Sequence, residues 1–253
     1  MNKRNIIAVL GIMLAGHCQA QEYKIAKSTG RLELNVGRVT VEGHSGNEII
    51  FSSKNQSAEK DERAAGLRAL NSLGLDDNTG IGIHVANKGD IVEVYQLKKT
   101  SAPDIKVLVP KGVIVSFSHE SQFGGKARFI NLPNEIEVSA EYNSIELENV
   151  TGPLTIETTY GNVEADFSSD IKDPISIVST YGYVDVTLPQ NIPANLKLST
   201  SYGDIFVAPE FKIDMPTKGD MIVYGNKISG TINGGGKNID LNSNYGKIYL
   251  RKK

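Results

Sequence analysis

The sequence predicts an all-β fold, a parallel β-solenoid (β-helix) of about 20-residue coils with one short amphipathic helix inserted near its N-terminal end. Three observations predict it. A Tyr followed by Gly or Asn recurs at Tyr142, Tyr160, Tyr181, Tyr202, Tyr224 and Tyr245, spaced by 18, 21, 21, 22 and 21 residues. Before most of these tyrosines apolar and polar residues alternate strictly, the pattern of a half-buried strand. After each comes one turn-prone residue and a second short alternating run, so a unit reads strand, corner, strand, turn. Such a unit cannot bury its own apolar face; stacking units in parallel at ~4.8 Å does so.

Taken in order, the chain opens with "MNKR", the uncharged run "NIIAVLGIMLAG" and then "HCQA". That order is a secretory signal peptide over 1–20, cut after Ala20, with an apolar run too short to span a membrane. Lipidation of Cys18 is the alternative, although His17 stands where the modification favours a small residue. Cutting after Ala20 removes the single cysteine, and losing Lys3 and Arg4 moves the formal charge from −2 to −4. Residues 21–253 are then expected as one β-solenoid domain, exported to the periplasm or the outer cell surface, without disulfides. No basic block precedes the terminal "RKK", which argues against nucleic acid, and no later run is long and apolar enough for a transmembrane segment.

"RLELNVGRVTVEG" places Leu32, Leu34 and Val36 on one face, then Val39 and Val41, an early coil. "IIFSS" is a strand. Within "SAEKDERAAGLRALNSLGL", acidic residues come first, Leu67, Leu70 and Leu73 recur at helical spacing, and Gly74 is a stop. This predicts an amphipathic helix over about 57–74, packed on the stack and shielding an edge strand. "IGIHVANKGDIVEVYQL" is a hairpin turning through Asn87–Asp90. Regular coils run from about 103 to 253. Their first strands carry Ile136/Val138/Ala140, Leu154/Ile156/Thr158, Ile175/Ile177/Ser179, Leu196/Leu198/Thr200 and Ile239/Leu241/Ser243 on the parity of the following Tyr. That parity puts the tyrosines on the buried face as an interior or corner ladder. The corner residues Asn143, Gly161, Gly182, Gly203, Gly225 and Gly246 are expected at positive φ. Pro110, Pro189 and Pro209 close strands, where the missing N–H costs nothing. The Tyr224 unit has an extra residue before Ile228, which predicts a bulge or an irregular coil.

The signal peptide, "PDIKVLVPKGVIVSF", the repeated Tyr-Gly-x-Val/Ile units and the "RAAGLRALNSLGLDDNTGIGIHV" insert together resemble a bacterial family. It is the secreted "putative adhesin" β-strand-repeat family, related to the head domain of autotransporter adhesins. The resemblance spans roughly residues 30–253 and implies a β-repeat scaffold used for binding, with no catalytic residues.

Four positions after the tyrosines stand Glu146, Glu164, Asp185, Phe206 and Tyr249, expected as one outward column at strand spacing. It is the candidate surface binding column: three carboxylates for a cation or substrate, then two aromatics for a sugar or protein. No basic partner is expected in that column. "LDDNTG" (75–80) lacks the alternating ligands of a calcium loop and reads as an Asx-rich turn. His44, His84 and His119 are too scattered for a metal site or triad, and no Gly-x-Ser-x-Gly elbow occurs. The expected function is a non-enzymatic, adhesin-like interaction module that binds a protein or glycan at the cell envelope and uses no cofactor or metal. The alternatives are a carbohydrate-active β-helix enzyme using the three carboxylates, or a structural or stress-response envelope protein without a ligand.

Overall fold

The structure, a computed structural model, describes residues 21–53, 62–67, 71–215 and 226–253. Among these residues the protein is all-β, with two ten-stranded, mostly parallel sheets. The first sheet runs β1 (Glu22–Ala26), β4 (Glu48–Ser53), β7 (Ile105–Pro110), β3 (Val39–His44), β9 (Lys126–Ile130), β11 (Ser144–Val150), β13 (Val163–Phe167), β15 (Val184–Leu188), β20 (Ile248–Lys252), β17 (Ile205–Val207). The second runs β18 (Lys227–Ile232), β16 (Ala194–Ser199), β19 (Lys237–Ser243), β14 (Ile175–Ser179), β12 (Leu154–Thr158), β10 (Ile136–Ala140), β8 (Gly112–His119), β2 (Thr29–Asn35), β6 (Ile91–Gln96), β5 (Ile83–Lys88).

From β7 to β17 the chain passes alternately between the sheets, which is why every second residue of each strand is apolar. Ile175 and Ile177 face inward from β14, as do Val184, Val186 and Leu188 from β15, all buried. Burying each such side chain contributes about 1.5–3 kcal/mol against the entropy of ordering the chain. Phe117 and Phe129 meet edge to face across the core, ring centroids 6.4 Å apart. Parallel register holds along both stacks, as in Ile136↔Leu154↔Ile175 and Ile145↔Val163↔Val184.

Spatial order departs from chain order at two places. The pair β2–β3 lies between β6–β7 and β8–β9, and the pair β19–β20 lies between β14–β15 and β16–β17. The C-terminal pair and the β2–β3 pair near the N-terminus are therefore wedged inside the stack, while β1 itself forms an edge of the first sheet. Repeat spacing reveals that units stack; it carries no information about this insertion. Antiparallel pairing is confined to the stack ends, at β1–β4–β7, β5–β6 and β16–β18.

The β5–β6 hairpin forms as the sequence predicts, turning after Lys88↔Ile91 with Gly89 at φ 60°. The amphipathic helix over about 57–74 is not seen. Part of it, including Leu70, lies outside the described residues; the rest holds only a 3₁₀ turn at Glu62–Ala64. Among the described residues Leu67 and Leu73 are 74% and 59% exposed, so these two side chains pack on no apolar surface that would stabilise a helix. Edge protection comes instead from the loop before β5. Asn78 pairs its carboxamide with the backbone of Val85 (2.7 and 2.9 Å), and Thr79 Oγ1 donates to the Ile83 carbonyl (3.0 Å). These contacts occupy backbone groups on the outermost strand of the second sheet.

Candidate binding surface

Each first strand ends two residues before its tyrosine, or three in the Tyr202 unit, and the corner breaks the inward parity there. Thr158 and Ser179 are buried, Tyr160 and Tyr181 are about half exposed, and Gly161 and Gly182 take the inward positions. The tyrosines thus leave the buried face on which alternation had placed them. They still form a ladder. Ring centroids lie 5.0 Å apart for Tyr142–Tyr160, 5.0 Å for Tyr160–Tyr181, 4.9 Å for Tyr181–Tyr245 and 4.7 Å for Tyr245–Tyr202, with planes within 15° of parallel. Tyr245 sits between Tyr181 and Tyr202 because β19–β20 is inserted there. Tyr224, the sixth member expected from the sequence, lies outside the described residues, as does Gly225.

The residue after each described ladder tyrosine is not at positive φ, contrary to expectation. Glycine is required by close approach instead. A Cβ on Gly161 would drive into the Asn143 carbonyl oxygen, one on Gly182 into that of Gly161, and one on Gly246 into that of Gly182. A hydroxyl two residues before the tyrosine completes the corner. Ser179 Oγ accepts from Gly182 N–H (3.0 Å) and donates to the Gly161 carbonyl (3.0 Å), while Ser243 Oγ donates to the Gly182 carbonyl (2.8 Å). Thr200 Oγ1 accepts from Gly203 N–H (2.9 Å) and donates to the Gly246 carbonyl (3.2 Å). Ser/Thr-x-Tyr-Gly is therefore a single device, tying one corner to the next.

The first corner replaces both partners together. Ala140 stands for the hydroxyl and Asn143 for the glycine. Asn143 is fully buried, and its Nδ2 donates to the carbonyls of Gly37 (2.8 Å) and Gly125 (2.9 Å). Its Oδ1 lies 2.8 Å from His119 Nδ1, in space that a Cβ on Gly124 would invade.

The outward column is in register across the first sheet, Arg128↔Glu146↔Glu164↔Asp185↔Tyr249↔Phe206. It includes Arg128, so the expectation of no basic partner is corrected; the long turn at 119–125 hid that strand from the tyrosine spacing. Glu146 pairs with Lys126 and with Arg128 Nε (3.0 Å). Asp185 receives both Nε (2.7 Å) and Nη2 (2.8 Å) of Arg251. Glu164 accepts from the Tyr183 hydroxyl, and that hydrogen bond, with burial behind it, pushes the phenol up to about 12. Arg128, Glu146, Glu164, Asp185 and Arg251, with Glu148 and Asp166, line a shallow groove of about 420 Å³. Phe206 and Tyr249 stack at 5.3 Å, with Lys247 over Phe206 and Arg251 over Tyr249. Sequence spacing found the carboxylates and missed Arg128, whose unit has no tyrosine to mark it, and Lys126, Tyr183 and Arg251, which lie outside the repeat position it followed.

In the 75–80 turn the Asp77 carboxylate accepts from Thr79 N–H (3.0 Å), Gly80 N–H (2.7 Å) and Gly82 N–H (2.9 Å), so backbone donors occupy the oxygens a cation would need. His44 and His84 contact the backbone carbonyls of Glu48 (2.7 Å) and Asp76 (2.9 Å), while His119 contacts Asn143. Among the described residues no group of three or more His, Cys, Asp or Glu side chains is placed to hold a metal ion.

Two solved structures are similar to this chain. One is a Clostridium sporogenes protein described as a "putative cell adhesion protein", at 14% identity and TM-score 0.47, covering 93% of this chain and 100% of that one. The other is a Bacteroides fragilis "putative adhesin", at 8% identity and TM-score 0.34, covering 94% of this chain and 98% of that one. No curated protein matches. Residues 134–251, the segment carrying every ladder tyrosine, match the family described as Toastrack DUF4097.

Proposed function

We propose that this chain is an exported, non-enzymatic β-solenoid that acts as a binding module at the cell envelope, with the tyrosine ladder as its recognition surface. One observation carries the reading: five stacked rings, four of them about half exposed and Tyr202 more so, form an unbroken aromatic stripe. Aromatic side chains contribute most when buried, so a stripe held in water is an affinity waiting for a partner. The carboxylates of the enzyme alternative are engaged, Glu146 and Asp185 by cations and Glu164 by a phenol. The outward column flanks the ladder as a secondary contact. The test is binding of residues 21–253 to cell-envelope fractions, compared with the Tyr160→Ala/Tyr181→Ala variant. The reading expects binding that is lost in the folded variant. Equal binding by both proteins would overturn it.

A further inference from the structure

Resting on that reading, we infer that the ladder's ligand is a neutral, linear glycan lying along the stack, with about one sugar residue per tyrosine. The first argument is width. Five rings, half exposed or more, offer on the order of 500 Å² in a band one side chain wide. A stable protein partner covers ~800 Å² per side, so a second folded surface is too broad for the band and a single extended chain matches it.

The second argument concerns what the band exposes. Its backbone donors are spent on the stack, Tyr160 N–H to Glu141 (2.7 Å), Tyr181 to Thr159 (2.8 Å), Tyr245 to Thr180 (2.8 Å) and Tyr202 to Asn244 (3.0 Å). An extended peptide finds no open ladder to join there. The inner rings also use their faces on one another, which leaves phenol hydroxyls and ring edges outward. Such a row suits a ligand that presents a hydroxyl at every step.

The third argument is charge. Thr159, Thr180, Asn244 and Asn162 flank the rings beside Glu141 and the mutually paired Lys247–Asp204 (3.8 Å), and the charges of the outward column beyond them are largely paired, Glu146 with Lys126 and Arg128 and Asp185 with Arg251. A neutral chain meets no opposing field there, whereas a polyanion or polycation gains nothing. Residues of an extended β-linked hexose polymer repeat close to strand spacing, so successive sugars meet equivalent tyrosines instead of drifting out of step.

Titration calorimetry of residues 21–253 with β-1,4-glucan and β-1,3-glucan oligomers, and with an alginate oligomer as the anionic comparison, tests this. Affinity for at least one neutral series is expected to rise with length and level off at about five residues, one per ring. Tyr160→Phe/Tyr181→Phe keeps the stack and removes two hydroxyls, and is expected to weaken binding about tenfold, a loss of ~1.4 kcal/mol. Lys88→Gln, on the β5–β6 hairpin, is expected to leave it unchanged. Preference for alginate, length-independent binding or no binding overturns the glycan assignment. If neutral oligomers fail while Tyr160→Ala/Tyr181→Ala still abolishes envelope binding, the glycan falls and the ladder's role stands. If that variant retains envelope binding, both fall.

Discussion

Gly182 and Ser179 illustrate how the residues divide the work. A Cβ at 182 collides with the Gly161 carbonyl, a backbone atom that cannot step aside. Gly182→Ala is therefore expected to lower stability by about 1–3 kcal/mol, read as a drop in melting temperature. Gly89→Ala is the comparison: open space surrounds it, but φ is 60°, so the cost is about 1 kcal/mol. A melting temperature unmoved by Gly182→Ala would refute the close-approach account. Ser179→Ala leaves a buried N–H and a buried carbonyl without their hydroxyl, at a cost of about 1–3 kcal/mol. At Tyr183 the folded phenol titrates at about 12, above its ordinary value of about 10. A raised pKa means its stabilising contribution is complete below pH ~10 and disappears as pH rises through about 12. Site-resolved NMR titration should find Tyr183 falling toward its ordinary value of about 10 in Glu164→Gln.

Among the elements, the wedged pairs separate this fold from a simple serial stack. Removing 237–253 takes away β19–β20, the layer joining β14–β15 to β16–β17. Serial stacking would lose only an end coil; here the deletion is expected to abolish cooperative unfolding, as circular dichroism on heating would show. Across the second sheet, Arg31 on β2 reaches two strands to Glu137 on β10, and its hydrogen bond holds that carboxyl below the usual range. The sign follows: the pair's contribution is present above the ordinary carboxylate pKa and is lost as pH falls through the folded value. Glu137→Gln should flatten the acid limb of the melting curve, by a modest amount because the pair is partly exposed. Strand identity was legible in the sequence because Ile175, Ile177, Val184 and Val186 alternate without exception. The inward turn of Gly182 was not, because parity says nothing about where the backbone pivots. The order Tyr181–Tyr245–Tyr202 was hidden too, since repeat units look alike wherever they insert. The missing helix shows a third limit: Leu67 and Leu73 had helical spacing, and no apolar surface to pack on.

For the whole molecule, the two sheets supply a rigid frame that converts a 21-residue sequence spacing into a ladder of rings 4.7–5.0 Å apart. The central claim is that this ladder is the surface that binds. Ring-resolved tyrosine NMR during titration with the binding target tests it most directly. The account predicts that Tyr142, Tyr160, Tyr181, Tyr245 and Tyr202 shift together and saturate at one ligand concentration, while Tyr23 and Tyr95 stay fixed. Shifts confined to Tyr183 and Tyr249, with the ladder rings unmoved at saturation, would contradict it.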